Sequence, residues 1–141
     1  MDYRQHPELA ADVARSGLDE IVSLAAVEQL ADPPLLADVA RNARSSFIRM
    51  VAIGKLTDAN LLADLAKTHR NSYIRRVTIE KKLDASHHQP LLADLAKHDP
   101  ASIVRLAAAE KLTDPPRLTD LAQTATDPNV RTIATEKLAR T

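Results

Sequence analysis

The segment LLADLAK occurs at residues 61–67 and again at 91–97, and around it the whole chain aligns on itself. Five lines result: ELAADVARSGLDEIVSLAAVEQLADP from residue 8, PLLADVARNARSSFIRMVAIGKLTDA from 34, NLLADLAKTHRNSYIRRVTIEKKLDA from 60, PLLADLAKHDPASIVRLAAAEKLTDP from 90 and PRLTDLAQTATDPNVRTIATEKLART from 116. The starts step by 26, 26, 30 and 26 residues, and the units 8–33, 34–59, 60–89, 90–115 and 116–141 leave out only the first seven residues. A period of this size marks a repeat array whose units bury their apolar faces against one another. The expected product is one domain over residues 1–141, built by stacking.

Each unit reads as two short helices. The first carries a narrow apolar stripe, as in Leu35, Leu36, Val39 and Ala40; the second repeats every fourth residue, as in Val104, Ala108 and Leu112. Helices this short are not stable alone, so they must pack. Asp32-Pro33, Asp114-Pro115 and Asp127-Pro128 place a capping carboxylate before a proline suited to the first helical turn, and Asp19, Ser45 and Asn71 hold the same place at other second helices. A small residue recurs at close approach (Ala26, Ala52, Thr78, Ala108, Ala134), with Leu30, Leu56, Leu112 and Leu138 in the layer below. Two glycines and three aromatics argue further against strand-rich folds, which need tight turns and aromatic pairs. The fold expected is an all-α, right-handed solenoid of five two-helix repeats. The thirty-residue step is a four-residue insertion in KKLDASHHQ, expected to lengthen the second helix or its exit loop and to make Asp84 to Gln89 a bend or special contact point.

DPASIVRLAAAEKL, residues 99–112, resembles the turn and second helix of HEAT repeats, in which Asp-Pro leads to Val-Arg, then Ala, then Leu. The short period and the LLADLA-type first helix are similar to leucine-rich-variant repeats, relatives of HEAT repeats. The resemblance covers residues 8–141 and implies an adaptor or scaffold. HEAT units are usually longer, and only the fourth unit here has the full Asp-Pro-x-x-x-Val-Arg turn.

Most chemistry is excluded by what the chain lacks. With no cysteine there are no disulfides, thiolate metal sites or thiol nucleophiles, which fits a reducing compartment. The apolar runs are too short for a membrane span, and the N-terminal segment has no basic stretch followed by an apolar one, so a cytoplasmic location is expected. Two glycines rule out a Gly-rich phosphate loop and a Gly-x-Ser-x-Gly elbow, and His-Glu-x-x-His is absent; no catalytic residue and no cofactor is assigned. His69, His87, His88 and His98 have no i, i+4 pairing on a helix, so they read as exposed helix-end and loop residues rather than metal ligands. Iron-binding HEAT-like enzymes use His-Glu pairs, and the chain has no such dipeptide.

Three rows remain. Arg49, Arg75, Arg105 and Arg131 each follow Asp38, Asp64, Asp94 and Asp120 by eleven residues, and they are expected to form a structural ladder of Asp–Arg or carbonyl–Arg contacts between stacked units. Lys55, Lys81, Lys111 and Lys137 join the arginines in an alternative reading as a nucleic-acid backbone binder, the use some HEAT-like DNA glycosylases make of a basic concave surface. Against it stand Glu80, Glu110 and Glu136, each immediately before a lysine, the scarcity of aromatics, and a net charge of zero. The third row lies on the second helices away from the expected core: Ile21, Phe47, Tyr73 and Ile103 share one position, and Leu24, Met50 and Leu106 the next on that side. These residues either pack under a neighbouring unit or form a strip that docks a peptide or helix of another protein. The expected function is a non-catalytic protein-interaction scaffold. The last helix ends without a polar capping unit over Ile133 and Leu138, so either that end self-associates or the chain is part of a longer array.

Overall fold

The structure is a computed structural model and describes residues 2–140. Ten α-helices follow one another, with no strand among the described residues: α1 Pro7–Ser16, α2 Glu20–Gln29, α3 Pro33–Asn42, α4 Ser46–Lys55, α5 Ala59–Thr68, α6 Ser72–Lys82, α7 Gln89–His98, α8 Ser102–Lys111, α9 Pro115–Thr124 and α10 Pro128–Ala139. No helix is long and apolar enough to cross a membrane among these residues. The chain divides into two compact units, Met1–Leu65 and Ala66–Thr141.

In the first unit α1 packs on α2 and α3 on α4, while α1 also contacts α3 and α2 contacts α4. Odd-numbered helices therefore form one layer and even-numbered helices the other. The second unit repeats the arrangement: α7 packs on α8 and α9 on α10, α7 lies beside α9, and α8 lies between α6 and α10. Adjacent-helix packing of this kind is compatible with an α-solenoid.

Local chemistry sets the helix starts. The Asp19 carboxylate accepts the Ile21 and Val22 amides at 2.9 and 3.4 Å, Asp32 accepts Leu35 at 3.1 Å, Ser45 Oγ accepts Ile48 at 3.3 Å, and Asn71 accepts Tyr73 and Ile74 at 2.9 and 3.2 Å. Asp127 accepts Asn129 at 2.8 Å. Asp114 departs from the expected pattern and caps nothing with its side chain. Its Oδ2 instead accepts Arg117 Nη1 at 2.8 Å, because an arginine stands where α3 has the apolar Leu35 and competes for the carboxylate.

The core repeats by position. Ala26, Ala52, Thr78, Ala108 and Ala134 are all fully buried, and beneath them lie Leu30, Leu56 and Leu112. The four-residue insertion divides in two. From Asn71 to the C-cap Leu83 is twelve residues, against eleven from Ser45 to Leu56, so α6 holds one extra residue, and the Leu83 amide reaches back five residues to Thr78 O at 3.1 Å instead of four. The other three form a 3-10 turn, Ala85–His87, closed by the Asp84 carboxylate on the Ser86 amide at 3.0 Å. The Asp84 pKa falls to about 2 because the Ser86 hydroxyl, His87 and the Ser86 amide all favour the ionised form.

Gly17 ends α1 with φ of 63°, a left-handed conformation that side chains resist, and a Cβ there would lie 2.9 Å from Arg44 Cβ. The close approach lets the Arg44 amide donate to Arg15 O at 3.1 Å. Gly17→Ala is expected to destabilise the chain by about 1 to 2 kcal/mol, read as a lower urea midpoint.

Candidate functional site

The arginines hold the turns inside each helix pair. In all four, Nη1 donates to the carbonyl six residues back: Arg49 to Ala43 O at 2.5 Å, Arg75 to His69 O at 2.6 Å, Arg105 to Asp99 O at 2.8 Å and Arg131 to Ala125 O at 2.6 Å. The four accepting residues, Ala43, His69, Asp99 and Ala125, are buried at one equivalent turn position. In the first pair that place falls to Gly17, and Ser23, standing where the arginine would be, donates instead to Val13 O at 3.1 Å. Two arginines also reach the next turn. Arg75 meets Asp99 in a bidentate pair, Nε to Oδ2 and Nη2 to Oδ1 at 3.0 Å each, and Arg105 Nε meets Asp127 Oδ2 at 3.0 Å.

Of the two kinds of contact expected for the ladder, the carbonyl–Arg contacts form, inside each helix pair, whereas the arginine row does not pair with Asp38, Asp64, Asp94 or Asp120. Asp38 pairs with Arg15, Asp64 with Arg41, and Asp120 with Lys97 at 3.0 Å, each to a cation twenty-three residues earlier on the preceding first helix. Two separate ladders result, because the aspartates lie on the layer of odd-numbered helices whereas the arginines start the even-numbered helices and face the turns. Asp94 is exposed and forms no ion pair among the described residues: the insertion puts twenty-seven residues between it and Lys67.

His69 is a second correction, because it is buried and not an exposed helix-end residue. Its Nδ1 accepts the Asn71 amide at 3.0 Å within the turn, and its backbone carbonyl accepts Arg75 Nη1 at 2.6 Å. No group of three or more histidine, aspartate or glutamate side chains suited to a metal occurs among the described residues.

The lysines are also turned inward. Lys55 Nζ donates to Val27 O at 2.9 Å and Glu28 O at 2.5 Å, and Lys111 Nζ to Ile79 O at 2.8 Å and Glu80 O at 3.1 Å. Lys137 does the same with Ala109 O at 3.4 Å and with Glu110 O. Each thus caps the carbonyl end of the preceding even-numbered helix, where the helix dipole favours a cation. Burial pushes all three ammonium groups below the usual lysine range. In α6 the extra residue puts Lys82 rather than Lys81 directly before the C-cap Leu83, and Lys81 is exposed.

What the even-numbered helices present outward is apolar. Ile21 is 80% exposed, Phe47 44%, Tyr73 52% and Ile103 36%, so packing under a neighbour does not cover this row. Leu24, Met50 and Leu106 lie beside them, half-buried. No family model matches the chain, and neither a curated protein nor a solved structure does.

In the first unit the strip is Ile21 and Leu24 on α2 and Phe47 and Met50 on α4, and Leu18 and Val22 are exposed as well. Leu18 and Val22 were not legible as exposed from sequence, since the residues aligned with Val22 (Ile48, Ile74, Val104, Val130) are buried. In the second unit the strip deepens into an open groove of about 450 Å³ between α6 and α8, with Ile103, Leu106 and Ala107 on one side and Arg76 and Glu80 on the other. Arg76 lies 5.2 Å above the Tyr73 ring, with its Nε 3.4 Å from Glu80 Oε1.

Proposed function

We propose that the chain is a non-catalytic protein-interaction scaffold, a right-handed solenoid of five short HEAT-like repeats that binds a peptide or helix of another protein on the face of its second helices. The observation that carries this reading is the single repeat position, Ile21, Phe47, Tyr73 and Ile103, that is large and apolar yet open to solvent in four successive second helices. Isolated exposed apolar residues are ordinary, but Ile21 with Phe47 on the packed helices α2 and α4, and Tyr73 with Ile103 on α6 and α8, give each unit a patch of the kind that partners cover. Peptides that dock as helices place anchors at i, i+3 and i+4, and they suit an apolar groove between neighbouring helices. The alternative nucleic-acid reading loses support, because the arginines and Lys55, Lys111 and Lys137 are engaged with carbonyls and carboxylates inside the fold.

The test is affinity capture from native lysate, identification of the retained protein by mass spectrometry, and titration of that purified protein against wild type and the Phe47→Ala, Tyr73→Ala double variant. Both side chains are exposed, so Tm should hold. Binding should weaken by about 2 kcal/mol or more, roughly thirtyfold in Kd. Unchanged binding by the double variant overturns the face, and salt-dependent retention on heparin with no protein partner overturns the function.

A further inference from the structure

The charges around the α6–α8 groove are sorted by direction. Its lysine, Lys111, is held with Nζ on the Ile79 and Glu80 carbonyls at 2.8 and 3.1 Å, so that its charge offsets the negative end of α6. Arg76 is likewise engaged, stacked on Tyr73 and beside the Glu80 carboxylate. The carboxylates point the other way: Glu80, Glu110 and Glu136 occupy one repeat position along α6, α8 and α10, and all three are exposed. Glu110 lies at the groove, one turn beyond Ile103, Leu106 and Ala107. Lys137 is tied to the Glu110 backbone carbonyl, so this rung repeats the pattern of cation inward and acid outward.

We infer that the α6–α8 groove takes a basic amphipathic segment of a partner protein, one whose large apolar side chain fills the groove while flanking lysines or arginines meet Glu110 and its neighbours on the rim. This rests on the scaffold reading and adds the chemistry of the partner. An acidic segment would bring its carboxylates against the outward glutamates, with Lys111 already committed to helix carbonyls and Arg76 to Glu80 and the Tyr73 ring. A neutral segment would gain only the apolar contact. The rim charges set selectivity and association rate more than total affinity, as surface charge does at most interfaces.

The probes are three synthetic amphipathic helical peptides of about sixteen residues with the same leucine face and with lysine, serine or glutamate on the flanks, titrated by fluorescence anisotropy against the full chain at low salt. The lysine peptide is expected to bind about tenfold more tightly than the serine peptide, and that advantage should shrink as salt rises. Glu110→Lys should invert the order of the lysine and glutamate peptides. The Glu110 carbonyl that receives Lys137 is backbone, so the variant keeps that contact, and its Tm checks the fold. Equal binding of all three peptides overturns the charge selection and leaves the apolar face standing. Tighter binding of the glutamate peptide to wild type, or no inversion in folded Glu110→Lys, overturns it as well. If none of the peptides binds, the groove is not the docking site, and the capture experiment decides whether the rest of the face is.

Discussion

Asp99→Ala is expected to lower the unfolding free energy by about 3 to 5 kcal/mol, because it strands a buried guanidinium. Arg75 and Asp99 are 8% and 6% exposed, and the pair is held by two parallel bonds of 3.0 Å. The third arginine nitrogen is on His69 O, and Asp99 Oδ1 also accepts the Ala101 amide at 2.8 Å. Every polar atom of the pair therefore has its bond from the other or from the turn backbone, and removing the carboxylate leaves the charge without water to replace it. Asp127→Ala is the comparison. Arg105 and Asp127 share one bond, and the Arg105 side chain is 22% exposed against 10% for Arg75, so water replaces part of what is lost and the effect should be smaller. A double variant, Arg75→Met with Asp99→Ala, should recover much of the loss, since alanine already occupies this turn position at Ala43 and Ala125. Urea unfolding of the variants decides it: a loss under about 1 kcal/mol for Asp99→Ala would mean that the guanidinium is hydrated.

The helices and their boundaries were legible because their signals are local. Asp19, Asp32, Ser45, Asn71 and Asp127 cap within three residues of themselves, and a reader of the sequence sees both cap and helix together. Which carbonyl and which carboxylate each arginine meets was hidden for the opposite reason. Each arginine bonds a backbone carbonyl, which has no sequence signature, and its second partner sits twenty-four residues on for Arg75 but twenty-two for Arg105. The insertion was visible as a count of four, yet aligning on LLADLAK gave no hint that one residue enters α6 and three enter the turn. That single residue is what makes Lys82 rather than Lys81 the neighbour of the C-cap. The candidate face is hardest of all to read. Ile103 and Val104 are adjacent and chemically alike, one 36% exposed and the other fully buried, and only the packing of α8 against α6 and α7 separates them.

The same contrast between identical letters gives the second large effect, at the leucine layer. Leu112→Ala is expected to cost about 2 to 5 kcal/mol, since the side chain is fully buried and its removal leaves a cavity that neighbouring helices fill only in part. Its amide donates to Ala108 O at 3.0 Å and closes α8, a backbone bond that the substitution keeps, so the loss measures packing. Leu138 has the same repeat position in α10 but is only partly covered. Less apolar surface leaves water when it packs, and Leu138→Ala should cost about 1 kcal/mol. Thermal unfolding at two protein concentrations separates the outcomes. An equal loss at both leucines, with a Tm that rises with concentration, would mean that a second copy of the chain covers Leu138. A small loss independent of concentration means that no second copy covers Leu138.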